Sequence, residues 1–539
     1  MKKLRIFIFL FTLSWNCFAQ PKLVVGIVID QMRFDYLNKY NKEYSLGGFK
    51  RFYSEGFVYN NHHYNYAPTV TGPGHASIFT GTTPAIHGII GNEWYDAVNK
   101  RTVYCTEDNH VLPIGTNNKD CQRSPSLMLT TTIGDQLKIH NSMQSKVIGI
   151  ALKDRGAILP AGHLANAAYW LDFSSGNFVT SSYYRDALPQ WVNQFNNKKL
   201  VNSYLKQTWS LLRPDSDYPE PDDVSYEKLF KGESKSILPY DLNKLKANNG
   251  VGVIASTPWG NNLTVDFAIA AIEGEHLGQN KNTDMLTLSF SSPDYIGHQF
   301  GPHSREIHDM YIRLDLELKR LIDYLDKRFG LKNISIFLTA DHGAADVPAY
   351  VKSNTGYYSE NKIKASFNNA LLKDWGSDSL IENISNLQIF LNHSLMVTKH
   401  ITEENILASC KQNLHHQQGI YDIISSRHLG GCPWIDQLCT AIKNGYNPKR
   451  SGDLILMGEP GWIGDYSLTG GTTHGSPFIY DTHIPMLWMG YGISKGGSFK
   501  RTETPDIAPT VCQILGCTAP NGTMGTPMEE VLQNKKAFK

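Results

Sequence analysis

Beyond its first twenty residues, this 539-residue sequence has no segment long and apolar enough to span a bilayer. It also has almost no net charge: 51 lysines and arginines are balanced by 50 aspartates and glutamates, for a formal +1. That balance excludes any global attraction to nucleic acid or a membrane surface, so anion recognition must rest on a few placed cations or metals. No internal repeat and no low-complexity tract is present, which argues against solenoid and disordered classes. Cysteine is scarce, with eight residues, and none of them shows the C-x-x-C spacing of a zinc site. What remains is a globular composition, 41% hydrophobic and 19% charged. The length allows a large core in one elaborated domain or in two.

The start reads Met1-Lys2-Lys3-Leu4-Arg5, followed by an apolar run from Ile6 to Leu13 and small residues near Ala19. A basic region, a short apolar region and a small-residue site make a secretory signal over residues 1–19, with cleavage expected after Ala19. Cys17 would suit a lipoprotein, but Trp15 and Asn16 before it are poor lipobox residues. The expected location is therefore periplasmic or secreted. Export permits disulfides, and Cys105–Cys121, Cys432–Cys439 and Cys512–Cys517 are plausible pairs. With Cys410 the mature count is odd, so at least one thiol stays free or pairs between chains.

Three apolar runs end in polar residues. Leu23–Ile29 runs into Asp30, Met285–Phe290 into Ser291-Ser292-Pro293-Asp294, and Ile334–Thr339 into Ala340-Asp341-His342-Gly343. Near-continuous apolar runs suit strands covered on both faces. Between the last two, Ile307, Met310, Tyr311, Leu314, Leu318, Leu321, Ile322 and Leu325 recur at helical spacing. Strand, helix, strand predicts an α/β fold with a mostly parallel sheet, whose strand C-termini are where such sheets place ligands. The stretches 164–251 and 351–447 are polar or mixed and weakly periodic. They read as insertions covering the sheet edge of a single catalytic domain, residues 20–539.

A lone strand-end aspartate is ordinarily a cap or turn former. Here Asp294 and His298 stand four residues apart, Asp341 and His342 are adjacent, and Thr472-Thr473-His474-Gly475-Ser476 adds a histidine in a small-residue loop. Imidazoles with carboxylates are ordinary zinc ligands. In Thr69-Val70-Thr71-Gly72-Pro73-Gly74-His75-Ala76-Ser77, a hydroxyl, glycines and proline open an apolar stretch, as at a helix N-terminus. There Thr71 is either a plain cap or a nucleophile favoured by the helix dipole.

The order Asp30, Thr71-Gly-Pro-Gly-His75, His87-Gly-Ile-Ile-Gly-Asn92, Asp294-x-x-x-His298, Asp341-His342-Gly343 and Thr473-His474-Gly475 resembles the alkaline phosphatase superfamily. It is most similar to the branch holding nucleotide pyrophosphatase/phosphodiesterases and phosphate-irrepressible alkaline phosphatases. The closing Pro505-Asp506-Ile507-Ala508-Pro509-Thr510 is similar too, so the resemblance spans nearly the whole mature chain. It implies a three-layer sandwich with a large central sheet flanked by helices, plus cap insertions. It also implies two Zn2+ ions, one held by Asp294, His298 and His474, the other by Asp30, Asp341, His342 and Thr71. Thr71 would be the nucleophile, with Asn92 and the N–H of Gly72 on phosphoryl oxygens.

Lys153-Asp154-Arg155 matches the Lys-x-Arg pair that contacts phosphate in the irrepressible phosphatases and is missing from the diesterases. A monoester has an extra charged oxygen that a guanidinium can bind, where a diester carries a second organic group. From composition alone the same three residues read as a solvated turn. Against the sulfatase pattern Cys/Ser-x-Pro-x-Arg, the chain has Thr71 and His75 at two defining positions. The expected activity is zinc-dependent phosphate-monoester hydrolysis through a phospho-threonine, by a monomer acting on small-molecule esters. The alternatives are a phosphodiesterase or nucleotide pyrophosphatase, separated by comparing monoester and diester rates. More distant is a non-catalytic phosphate- or metal-binding protein, separated by zinc content without turnover.

Overall fold

The computed structural model describes residues 20–533; residues 1–19, on which the expected signal and Cys17 fall, lie outside them. Eleven strands form the main sheet: β1 (Leu23–Ile29), β2 (Phe57–His63), β3 (Pro113–Ile114), β4 (Val147–Ala151), β5 (Ala167–Asp172), β6 (Asn177–Ser181), β7 (Asp284–Phe290), β8 (Ile334–Thr339), β9 (His483–Gly490), β10 (Gly496–Ser498) and β11 (Thr502–Glu503). Their order is β10-β2-β9-β8-β1-β7-β4-β5-β6-β3, with β11 beside β2. The centre, from β8 to β5, is parallel throughout. Antiparallel partners close both sides, β9 on β8 and β6 on β5. The predicted strand–helix–strand unit is there, with β1 inserted between β7 and β8.

Every residue of β1 is buried, and alternate side chains enter different cores. Leu23, Val25, Ile27 and Ile29 face one apolar cluster and Val24 and Val28 another. Helices cover each face. On the first lie α3 (Trp259–Gly274) and α5 (Arg305–Phe329), packing Leu263, Phe267, Leu314 and Leu318. On the second lie α1 (Thr71–Thr80) and α6 (Ile507–Leu515), packing Ile78, Phe79, Ile507 and Val511. This is the expected three-layer α/β arrangement. α5 begins where the Ser304 side chain accepts from the Ile307 N–H, and ends at Gly330, whose φ of 77° suits only glycine readily. Its eight periodic apolar residues are all buried.

The stretch 164–251 opens inside the main sheet, since β5 and β6 belong to it. Its hairpin is short and its flanks polar, which hides the strands in composition. The stretch from 351 supplies three strands of a separate four-stranded sheet, Ile381–Ser385, Gln388–Leu391 and Ile420–Ser425. The fourth, Leu454–Gly458, pairs with both neighbours and lies beyond 447, so the inserted unit extends further than expected. Helices Glu360–Trp375 and Glu403–Gln412 pack on it through Phe367, Leu371 and Ile406. Of the three plausible disulfides only Cys432–Cys439 forms; Cys105, Cys121, Cys410, Cys512 and Cys517 are free thiols. Cys105 instead packs in an apolar cluster with Ala76 and Ile90, and Cys121 in a different one with Ala151 and Trp170.

Candidate active site

Six chain segments converge at the C-terminal edge of the parallel strands. Asp30 follows β1, Asp341 and His342 follow β8, and Lys153 follows β4 at the mouth of α2 (Asp154–Ala161). Asp294 and His298 stand on α4 (Ser292–Phe300), one turn apart, after β7. His474 arrives on the loop before β9, and Thr71 is the first residue of α1.

Thr71 does not act as a cap: Val70 occupies the cap position, with no side-chain cap bond. The Thr71 hydroxyl lies 3.5 Å from His342 Nε2. Behind it, Gly74 allows α1 to press onto the Asp341 backbone, where a Cβ would lie 2.3 Å from the carbonyl oxygen.

Two groups of three ligand atoms gather there: Asp30, Asp341 and His342, and Asp294, His342 and His474. The first is the expected carboxylate and imidazole set beside Thr71. In the second, His342 stands where His298 was expected, although His298 Nε2 is 3.1 Å from Asp294 Oδ1. The His342 and His474 rings stack at 3.4 Å, which lets His342 reach both groups.

Backbone carbonyls fix the imidazoles. Nδ1 of His342, His474 and His298 lies 3.0, 2.8 and 2.8 Å from the carbonyls of Gly343, Thr69 and Thr472. A carbonyl only accepts, so each Nδ1 is a donor, and in a neutral ring this leaves the Nε2 lone pair on the side of the carboxylates. Burial pushes His342 down to about 3 and lowers His474 as well, so both are neutral at pH 7. Asp30 Oδ1 and Asp341 Oδ2 are buried acceptors without a hydrogen bond. Burial, reinforced by Asp341, raises the Asp30 carboxyl well above its usual range.

Lys153 Nζ bridges Asp30 Oδ2 at 2.7 Å and Asp294 Oδ2 at 2.5 Å, and sits 5.1 Å from the Tyr295 ring centre. Burial works against its charge, but Asp294 and Asp30 outweigh it and hold the ammonium protonated. Asn92 Oδ1 accepts from the Gly72 N–H at 2.7 Å, which leaves the Asn92 amide NH2 as the outward, donating end. The Gly72 N–H is thus engaged by Asn92 rather than facing outward. Arg155 donates from Nη1 to the Tyr104 hydroxyl at 3.0 Å, while its Nε is buried without a partner.

Two further residues support this cluster: Gln31, which no motif marks, and His75, whose motif position gives no sign of what it contacts. Gln31, in the left-handed region at φ 62°, donates from its side chain to Asp294 Oδ1 at 2.7 Å and from its backbone to Asp341 Oδ1 at 3.1 Å. His75 Nδ1 lies 2.9 Å from the Thr71 carbonyl and 3.2 Å from Asp341 Oδ2. The one sequence signal for Gln31 was its place directly after a strand-end aspartate. Beside the cluster, a cavity of about 350 Å³ opens under the inserted unit, between Val70, His474 and Gly475 on one side and Tyr358, Asn386 and Leu387 on the other.

Comparison with known proteins matches the chain to one family. The model of the type I phosphodiesterase/nucleotide pyrophosphatase family covers residues 24–477. A Myroides odoratus protein named calcium-transporting ATPase is 45% identical, over 95% of each chain. Alkaline phosphatase PhoV of Synechococcus elongatus is 42% identical over 96% of this chain and 94% of its own. Alkaline phosphatase PafA of Elizabethkingia meningoseptica is 41% identical over 96% and 95%. A crystal structure of PafA superposes with a TM-score of 0.93 at 40% identity, over 96% of this chain and 100% of that one. A variant of PafA, substituted at one threonine, one asparagine, one lysine and one arginine, superposes at 0.92. The chain belongs to the type I phosphodiesterase/nucleotide pyrophosphatase family, within the alkaline phosphatase superfamily.

Proposed function

We propose that the chain is an alkaline phosphatase, hydrolysing phosphate monoesters through a covalent phospho-threonine at Thr71. The observation that carries this reading is the Thr71 hydroxyl, free of any capping bond and set at the rim of a buried cluster of carboxylates and neutral imidazoles. Relatives over 40% identical across nearly the full length are named alkaline phosphatases. The four residue types substituted in the PafA variant are those of Thr71, Asn92, Lys153 and Arg155.

Two zinc ions are the proposed cofactors, one held by Asp30, Asp341, His342 and Thr71, the other by Asp294, His298 and His474. The donors fit: neutral imidazoles and carboxylates are zinc's ordinary ligands, and Asp30 and Asp341 each keep a buried oxygen without a hydrogen bond. When bound, the metals supply Lewis-acid charge for the attacking and leaving oxygens.

Thr71 gives up its hydroxyl proton to solvent and Oγ1 attacks phosphorus in line; the Oγ–P bond forms as the bond to the leaving oxygen breaks, and that oxygen takes a proton from water to depart as the alcohol. Its place at the first turn of α1 puts the phosphoryl group at the positive end of a helix dipole. The Asn92 amide donates to one non-bridging oxygen, oriented by Gly72. Arg155 offers its unpartnered Nε, and Lys153 adds positive charge from below. A water oxygen then displaces Thr71 at phosphorus, releasing inorganic phosphate.

The name calcium-transporting ATPase also implies cleavage at a phosphate, which this chemistry covers; no described helix is long and apolar enough to cross a membrane. Monomeric state and export to the periplasm or beyond complete the proposal, the latter resting on residues 1–19.

The test is acid quenching during turnover of an aryl phosphate, followed by mass spectrometry of the Thr71 peptide and metal analysis. A phosphate on Thr71, lost in Thr71→Ala together with activity, is expected. Thr71→Ala protein that keeps most of its metal-dependent turnover would overturn the assignment.

A further inference from the structure

Asp154, the middle residue of Lys-Asp-Arg, has its side chain part-buried and fully engaged. Its Oδ1 accepts from the Tyr104 hydroxyl at 2.5 Å and from the Arg155 backbone N–H, and its Oδ2 accepts from Arg123 Nε at 2.9 Å. The Arg123 guanidinium also covers the Tyr104 ring, 4.4 Å from its centre. Tyr104 in turn accepts from Arg155 Nη1.

The proton directions are forced. A carboxylate only accepts and a guanidinium only donates, so the phenol hydrogen must point to Asp154 and its lone pair to Arg155. With Nη1 taken, Arg155 keeps its Nε–Nη2 edge, and Nε is buried with no partner. That edge is the flat fork that matches two oxygens of one phosphoryl group. The charges are sorted as well. Asp154 makes its ion pair with Arg123, not with Arg155, so the Arg155 charge is not cancelled inside the protein.

The three partners come from separate segments. Tyr104 ends the hairpin Glu93–Asp96/Arg101–Tyr104, which also fixes Asn92, since the Cys105 N–H donates to the Asn92 carbonyl at 2.9 Å. The Arg123 backbone is held by an isolated antiparallel β-bridge to Glu107, and Asp154 opens α2.

We infer that Tyr104, Asp154 and Arg123 form a positioning network that holds the free edge of Arg155 for a phosphoryl group and thereby sets the preference for monoesters over diesters. The inference rests on the phosphatase reading above, with Arg155 on the transferred phosphate. The three residues touch no substrate; they act through Arg155.

The experiment measures kcat/KM on an aryl phosphate monoester and an aryl phosphate diester for Arg155→Ala, Tyr104→Phe, Asp154→Asn and the doubles with Arg155→Ala. Tyr104→Phe should lower monoester turnover about fivefold and Asp154→Asn about tenfold or more, since a small misplacement of a charged group is costly. Both should leave diester turnover within about twofold, and each should add less than about twofold on top of Arg155→Ala, as members of one unit do. If Asp154→Asn does not fold, Tyr104→Phe keeps the ring under Arg123 and removes only the relay oxygen. Should Arg155→Ala depress both substrates equally, the phosphatase reading of Arg155 falls and the network with it. If Arg155→Ala is monoester-selective but the network variants are unselective, or multiply with it, the network alone is refuted.

Discussion

Replacing His75 by alanine tests whether the helix of the proposed nucleophile and the proposed metal-binding cluster are held as one piece. His75 is fully buried in α1. Nδ1 reaches the Thr71 carbonyl at 2.9 Å and Asp341 Oδ2 at 3.2 Å, and Nε2 lies 2.8 Å from Ser289 Oγ at the end of β7. The Thr71 carbonyl can only accept, so Nδ1 is the donor there, and Nε2 shares a hydrogen bond with the Ser289 hydroxyl. Alanine removes two hydrogen bonds of about 1 kcal/mol each and the contact to a buried carboxylate, and it leaves a ring-sized cavity. Together these should cost roughly 3–4 kcal/mol of stability. Asp341 also loses the group that orients it, so on the proposed two-zinc reading zinc affinity should fall by about 10–100-fold, the usual effect of removing a partner behind a metal ligand. The assay is competition with a zinc chelator, alongside urea unfolding of the chelated protein. Glutamine, which keeps a donor, should recover part of the zinc affinity and little of the stability. Unchanged zinc affinity in His75→Ala would show that Asp341 is positioned without it, by Gln31 and the backbone alone.

Two more perturbations probe other parts of the molecule. Arg155→Ala should cut monoester kcat/KM by about 30–1000-fold, roughly 2–4 kcal/mol for two charge-assisted bonds, and diester kcat/KM by less than about threefold; equal losses would make Arg155 structural. Burial works against ionisation of Asp172, but hydrogen bonds from Ser174, Ser175, Asn118 and Thr116 outweigh it and hold the carboxyl at about 2. A carboxyl depressed on folding contributes stability above its unfolded value near 3.8 and loses it as pH falls toward 2, so Asp172→Asn should cost about 1–2 kcal/mol at pH 7 and almost nothing at pH 2. Urea midpoints at the two pH values check this, and a gap independent of pH would refute it.

Much of the architecture is legible because buried parallel strands leave continuous apolar runs. Leu23–Ile29, Asp284–Phe290 and Ile334–Thr339 each pack on both faces, so only the small Thr287, Ser289 and Ser335 interrupt their apolar interiors. The long helix α5 shows its buried stripe for the same reason. What stays hidden is pairing between segments far apart. Nothing in the sequence of β1 says that it lies between β7 and β8, and nothing in Cys105 and Cys121 says that they pack in separate clusters. The strand Leu454–Gly458 has the right apolar run, but its partners Gln388–Leu391 and Ile420–Ser425 are fixed only in three dimensions.

The site divides along the same line. Its clustered carboxylates are readable because a strand end fixes where a residue goes: Asp30, Asp294 and Asp341, the proposed ligands, each lie within a few residues of a buried strand's C-terminus. The residues that orient them are not, because their roles depend on which distant atom they meet. Gln31 bonds across more than 260 residues to Asp294, and His75 across more than 210 to Ser289. Asp154 is the clearest case. Between two cations its charge reads as local neutralisation of a solvated turn, yet its own neighbour Arg155 is not its ion-pair partner. Arg123 takes that place, and on the proposed reading the Arg155 charge is thereby left for a substrate. Local sequence supplies the charges of this site, and contacts between distant segments decide which of them stays free.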